Sequence, residues 1–148
     1  HRVNRIISKI EKLNFKVISH SSKPNTLKNV DFYVVDTFGE TKKFHKIACS
    51  VFLGGSIVKK GGQNPLEAAR FGAKIIHGPH IDNFKDVYGL LKSLKISKKI
   101  KSSKELASSI TFKKNTKIGK KIKFIGKKIL KKTIKELDSI IENEIKKT

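Results

Sequence analysis

The chain has 148 residues, enough for one domain with a real core. Its 34 basic and 12 acidic residues give a net charge of +22, which points to an anionic partner such as nucleic acid, membrane lipid or a phosphorylated substrate. The single cysteine, Cys49, excludes an internal disulfide framework, no apolar run reaches the roughly 20 residues of a membrane span, and HRVNRIISKI lacks the apolar stretch of a signal peptide.

The charge is mostly lysine, since only Arg2, Arg5 and Arg70 are arginine. It is also spread out: residues 1–95 carry 17 basic and 7 acidic side chains, and the remainder carries 17 and 5. Lysine at many tolerant surface positions is as good an account of this as a dedicated binding face. Cys49 lies beside an apolar strand, which predicts a packed thiol rather than a reactive one. There is no methionine and the sequence opens on His1, so it is expected to be a piece of a longer protein.

The first 95 residues alternate helix and strand. Val3, Ile6, Ile7, Ile10 and Leu13 have helical spacing. FKVIS (15–19) reads as a strand, Ser21 to Asn29 as a polar loop, and VDFYVVD (30–36) as a second strand. A helix follows from about Gly39 to Ala48. CSVFL (49–53) is a third strand, and Asn64-Pro65-Leu66-Glu67 opens a helix that ends near Gly72: Asn64 suits the cap and Pro65 the first turn. AKIIHG (73–78) is a fourth strand closed by Pro79, and Asp82 or Asn83 caps a helix through about Leu94. This alternation predicts an α/β fold, a Rossmann-like parallel sheet with helices on both faces. The strands are few, so at least one upstream unit is expected to be missing.

Residues 96–148 read as a Lys-rich helical region of the same domain. Ser102 or Ser103 caps a helix through Ile110. A longer helix starts near Lys117, with an apolar stripe of Ile118, Ile122, Ile125, Ile129, Leu130, Ile134, Leu137, Ile140, Ile141 and Ile145. The stripe is expected to pack on the sheet or on the missing part. The opposing lysines would attract an anionic membrane surface.

The stretch VFLGGSIVKKGGQNPLEAARFG (51–72) joins a strand, two glycine pairs and a helix start, the layout by which open α/β sheets hold phosphorylated ligands. Gly54, Gly55, Ser56, Gly61 and Gly62 form the candidate phosphate loop. Two acidic spots also follow strands: Asp36-Thr37-Phe38-Gly39-Glu40 and Glu67. A carboxylate repels phosphate, so Glu67 is better placed to accept hydrogen bonds from sugar hydroxyls. Phe38, Gly39 and Glu40 could line a base pocket, although Thr37 and Glu40 also fit a capping box. His77 and His80 have no third ligand at metal-site spacing, no Ser-His-Asp set is legible, and the Walker pattern is absent. No cofactor and no metal are expected.

DTFGE (36–40), VFLGGSIVKKGGQNPLEAARFG (51–72) and HGPHIDNF (77–84), in that order, resemble the C-terminal half of 3-deoxy-D-manno-octulosonic acid (Kdo) transferases. The likeness covers residues 1–95. It implies a two-domain glycosyltransferase of the GT-B type, with residues 1–95 the N-terminally truncated donor domain. It further implies transfer of Kdo from CMP-Kdo to a lipid A precursor at the cytoplasmic face of the bacterial inner membrane. By position, Phe38, Gly39 and Glu40 match one CMP-contacting segment, with methionine commoner than Phe38. Asn64, Pro65, Leu66 and Glu67 match the other, and Gln63 stands where histidine is frequent. The catalytic carboxylate and a CMP-holding proline-arginine pair lie outside these residues. This chain alone is therefore expected to bind CMP and to transfer nothing. Two rival readings are a basic nucleic-acid-binding module and a transferase using another nucleotide sugar. Scarce arginine and few aromatics argue against the first.

Overall fold

The computed structural model describes residues 2–146. They form two compact units that divide at Lys43–Phe44.

The first unit begins with helix α1 (Arg2–Glu11). Val3, Ile7 and Ile10 are its half-buried stripe, while Ile6 and Leu13 are exposed. The chain turns at Asn14, whose φ of 61° is left-handed, a conformation asparagine tolerates better than most residues. Strands β1 (Val17–Ser19) and β2 (Phe32–Val34) pair in parallel, with Ile18 opposite Tyr33. Asp31 closes the entry to β2 by accepting from Lys16 N at 2.8 Å, and the Phe15 and Phe32 rings meet edge-on at 5.3 Å. Beyond the strands a 3-10 turn (His20–Ser22) brings Ser21 to Asp36, whose carboxylate accepts from both the Ser21 N–H and its hydroxyl. These bonds hold the Asp36 carboxyl below its usual range.

Helix α2 (Thr41–Ile47) starts later than the sequence suggests. Thr37 and Glu40 precede it, so they are not its N-cap and third residue, and the capping box does not form. Glu40 instead pairs with Lys43 one turn on, at 2.9 Å.

The second unit holds a parallel three-stranded sheet in the order β3-β4-β5. Strands β3 (Ser50–Leu53), β4 (Lys74–His77) and β5 (Ser97–Lys99) alternate with helices α3 (Leu66–Ala69) and α4 (Lys85–Ser93). Val51 lies opposite Ile75, and Ile75 opposite Ser97. One core gathers Leu53, Ala68, Ala69, Ile75, Tyr88, Leu91, Ile96 and Ile122. Ile76 follows Ile75, points the other way by strand alternation, and is also buried. Both faces of β4 are therefore covered, as expected of a parallel sheet.

Strand β5 has no counterpart in the sequence reading. Ser-Lys-Lys carries no strand propensity, and its backbone is ordered by the ladder to β4 and by the buried Ile96 and Ile100 on either side. Helix α3 is shorter than expected, four residues rather than a run to Gly72. Ala68 and Ala69 press it onto the sheet, and the chain leaves through Gly72 at φ +79°.

Helix α5 (Ser103–Ser109) is capped by Ser102, which accepts from Glu105 N at 3.1 Å. Helix α6 (Thr116–Ile145) follows, capped by Asn115. Its first turns dock on the exit from α3. A Cβ on Gly119 would lie 2.8 Å from Gly72 N and 2.9 Å from Arg70 O, so glycine is required for this approach. Ile122 is buried and Ile118 half-buried, and Lys123 stacks its ammonium 5.1 Å from the Phe71 ring centre. From residue 127 onward every described residue of α6 is exposed. The distal part of the stripe is thus exposed and does not lie on the sheet, one of its two expected partners.

Candidate functional site

The β3–α3 junction is a loop folded back on itself. Gly55, Gly61 and Gly62 all have φ between +71° and +77°, where side-chain-bearing residues are strained. The Gly62 N–H donates to Gly55 O at 3.2 Å, which ties the two glycine pairs together.

The loop is held from beneath by residues 78–83. Ser56 is fully buried, and its hydroxyl donates to Leu53 O at 2.6 Å and accepts from Gly78 N at 2.9 Å. His80 N donates to Ser56 O, and Asn83 N to Gly61 O. A Cβ on Gly78 would lie 2.3 Å from Ser56 O, and one on Gly61 would meet the Asn83 side chain. The second and third sequence motifs therefore form one packed unit.

This divides the candidate phosphate loop in two. Ser56, Gly61 and Gly62 have positions dictated by internal packing. Gly54 is different: a Cβ there would meet nothing within 4 Å. Among the described residues no hydrogen bond uses the N–H groups of Gly54, Gly55 or Gly61. These donors stand at the carboxyl edge of the sheet, where open α/β folds bind ligands.

Asn64 accepts from Leu66 N at 3.0 Å, an Asx-type turn that launches α3, and Pro65 is buried. Four residues give α3 only a small dipole, so the loop N–H groups must supply most of any anion attraction. The Tyr88 hydroxyl donates to Gln63 O at 3.1 Å and fixes the loop exit. Burial pushes its phenol up to about 12.

Glu67 is half-exposed, and its Oε2 lies 3.7 Å from Nδ1 of His45 on α2. That is too long for a hydrogen bond. His45 Nδ1 is buried and has no hydrogen-bond partner. Nothing in spacing or pattern links His45 to Glu67, because the fold alone brings them together.

In the first unit, Phe38 is fully exposed and Gly39 turns the chain at φ +86°. The Lys43 ammonium holds the Glu40 carboxyl below its usual range. Of the remaining histidines, His77 is buried against the Tyr88 ring at 4.3 Å, and its Nδ1 contacts Gly78 O at 2.7 Å. Burial lowers its pKa. Among the described residues no group of three or more His, Cys, Asp or Glu could hold a metal ion, and no helix is long and apolar enough to cross a membrane.

A parallel α/β unit with a glycine loop at its carboxyl edge defines a Rossmann-like domain, and the comparisons agree. The C-terminal CMP-Kdo binding domain of WaaA from Acinetobacter baumannii superposes with a TM-score of 0.67 over 72% of this chain and 56% of that one, at 19% identity. By sequence the chain is a relative of the 3-deoxy-D-manno-octulosonic acid transferases. It is 32% identical over 130 residues to that of Rickettsia prowazekii, a match covering 88% of this chain and 28% of the relative. It is 45% identical over 83 residues to that of Rickettsia bellii, which covers 55% of this chain and 19% of the relative. It is 33% identical over 90 residues to that of Haemophilus influenzae, covering 61% and 21%. No protein-family model matches. The chain spans about a quarter of the length of the curated relatives it matches.

Proposed function

We propose that this chain is the donor-binding part of a Kdo transferase that carries Kdo from CMP-Kdo to a lipid A precursor. The observation that carries the reading is the β3–α3 junction. Two open backbone donors, Gly54 and Gly55, stand at the carboxyl edge of a parallel sheet, and the half-exposed carboxylate of Glu67 follows in the first turn of α3.

The donor's phosphate accepts from the loop N–H groups, which stabilise the charge that grows as CMP leaves. No metal is assigned to that task. Within the second unit, Asn64, Pro65, Leu66 and Glu67 are the segment that contacts CMP. The half-exposed Glu67 carboxylate would accept from a ribose hydroxyl on its outer side, while the buried His45 stands behind it. The base that activates the acceptor hydroxyl comes from outside these residues. The lysine-rich surface suits work at an anionic membrane, the cytoplasmic face of the bacterial inner membrane.

Calorimetric titration of the 148-residue chain with CMP, UDP and a single-stranded RNA tests this. CMP binding that excludes UDP is the expected result. Salt-dependent RNA binding with no response to CMP would replace the reading with a nucleic-acid module. The chain alone is expected to show no Kdo transfer to a lipid A precursor, and measurable transfer would refute the assignment of the base elsewhere.

A further inference from the structure

The distal half of α6 carries large apolar side chains that stay exposed in the protomer. Leu130, Ile134, Leu137 and Ile141 are each about half exposed and follow the four-three-four spacing of a coiled-coil seam. At about 100° per residue, this seam is turned by roughly a third of a turn from the docked Ile118, Ile122 and Ile125. It therefore continues past the domain instead of lying over it. A helix projecting alone, with this much apolar surface, is marginal in water.

Charge along the same segment is segregated. Residues 117–135 hold nine lysines and no acid, whereas residues 136–145 hold four acids and no lysine. We propose that α6 pairs in antiparallel fashion with α6 of a second copy of this chain, across a two-fold axis between Lys135 and Glu136. In that register Leu130 packs on the partner's Ile141 and Ile134 on the partner's Leu137, and the symmetry repeats both contacts. Lys131 meets the partner's Asp138, and Lys127 meets the partner's Glu144, again twice each. A parallel pair would instead stack Lys127 on Lys127 and Glu144 on Glu144. Charge therefore selects the antiparallel form. The two domains sit at opposite ends of the pair, since each docks only on the first turns of its own α6. The interface is isologous and closed, so it stops at two copies.

The inference does not depend on the nucleotide site. Sedimentation velocity of the 148-residue chain, from micromolar to sub-millimolar, should show a monomer–dimer equilibrium. Leu137→Asp should abolish the dimer and leave a folded monomer, with the melting temperature of the parent measured at concentrations where the parent is itself monomeric. Lys131→Glu and Asp138→Lys should each weaken the dimer about tenfold, by turning two attractive pairs into repulsive ones. An equimolar mixture of those two variants should restore it, because each chain then offers the other opposite charges. A monomer at every concentration overturns the proposal. So does a dimer indifferent to Leu137→Asp, or a mixture no tighter than either variant alone. Phosphatidylglycerol vesicles separate the other occupant: a chain that stays monomeric yet loses vesicle binding with Leu137→Asp uses the seam for lipid, which also overturns it.

Discussion

Nδ1 of His45 and Oε2 of Glu67 face each other across 3.7 Å, with no hydrogen bond made by the buried nitrogen. The carboxylate is half-exposed, so its outer lone pairs stay open to a ligand hydroxyl while the nitrogen lies behind it. Glu67→Gln removes the charged acceptor and should weaken CMP binding by about tenfold or more. Its carboxylate is half-exposed, so the melting temperature should barely change. Titration calorimetry beside thermal denaturation reads both; unchanged CMP affinity would remove Glu67 from the site.

Gly54 separates binding from folding. A side chain there meets no atom of the protein within 4 Å, and its backbone is not left-handed. Gly54→Val should therefore fold as the parent does. If the donor phosphate comes up against this backbone, the same variant should lose most of its CMP affinity. Normal affinity would mean that the phosphate lies elsewhere.

Ser56 should behave in the opposite way. Its hydroxyl joins Leu53 O to Gly78 N in a fully buried position. Ser56→Ala leaves both groups unpaired and should cost about 1–3 kcal/mol of stability. Urea denaturation measures this; a loss well under that range would mean the strut is not structural.

His77 gives the fold a pH dependence. Burial lowers its pKa below the 6.5 of an exposed imidazole, so the unfolded chain binds the proton more readily. The stabilisation is complete above about pH 6.5 and is lost as pH falls toward the depressed folded value. Urea midpoints taken from neutral to mildly acid pH should decline, and His77→Gln should flatten the decline. The lowered carboxyls of Asp36 and Asp82 act in a separate, more acid window, below their ordinary 3.8.

Most of the alternating elements were legible because apolar periodicity and glycine or proline punctuation mark them. Ser102 caps its helix as the sequence suggested, whereas Asn64 stands one residue ahead of the Pro65 cap and accepts from Leu66 N. Strand β5 was not legible, since Ser97-Lys98-Lys99 owes its extended form to the neighbouring strand. The glycine pairs were visible, but not their separate duties. Gly61 is set by Asn83 and Gly78 by Ser56, partners about twenty residues distant that only the fold brings near. The apolar stripe of α6 was read as continuous, yet it shifts around the helix after Ile129. Only its first turns reach the core.

The bond from Tyr88 to Gln63 also gives the chain an optical signal of its own. With two tyrosines and no tryptophan, near-ultraviolet absorption comes mainly from Tyr33 and Tyr88. One of these phenols is anchored to the carbonyl just ahead of Asn64. Occupancy of the loop can thus be followed by difference spectroscopy on the unlabelled molecule, with Tyr33→Phe isolating the informative chromophore.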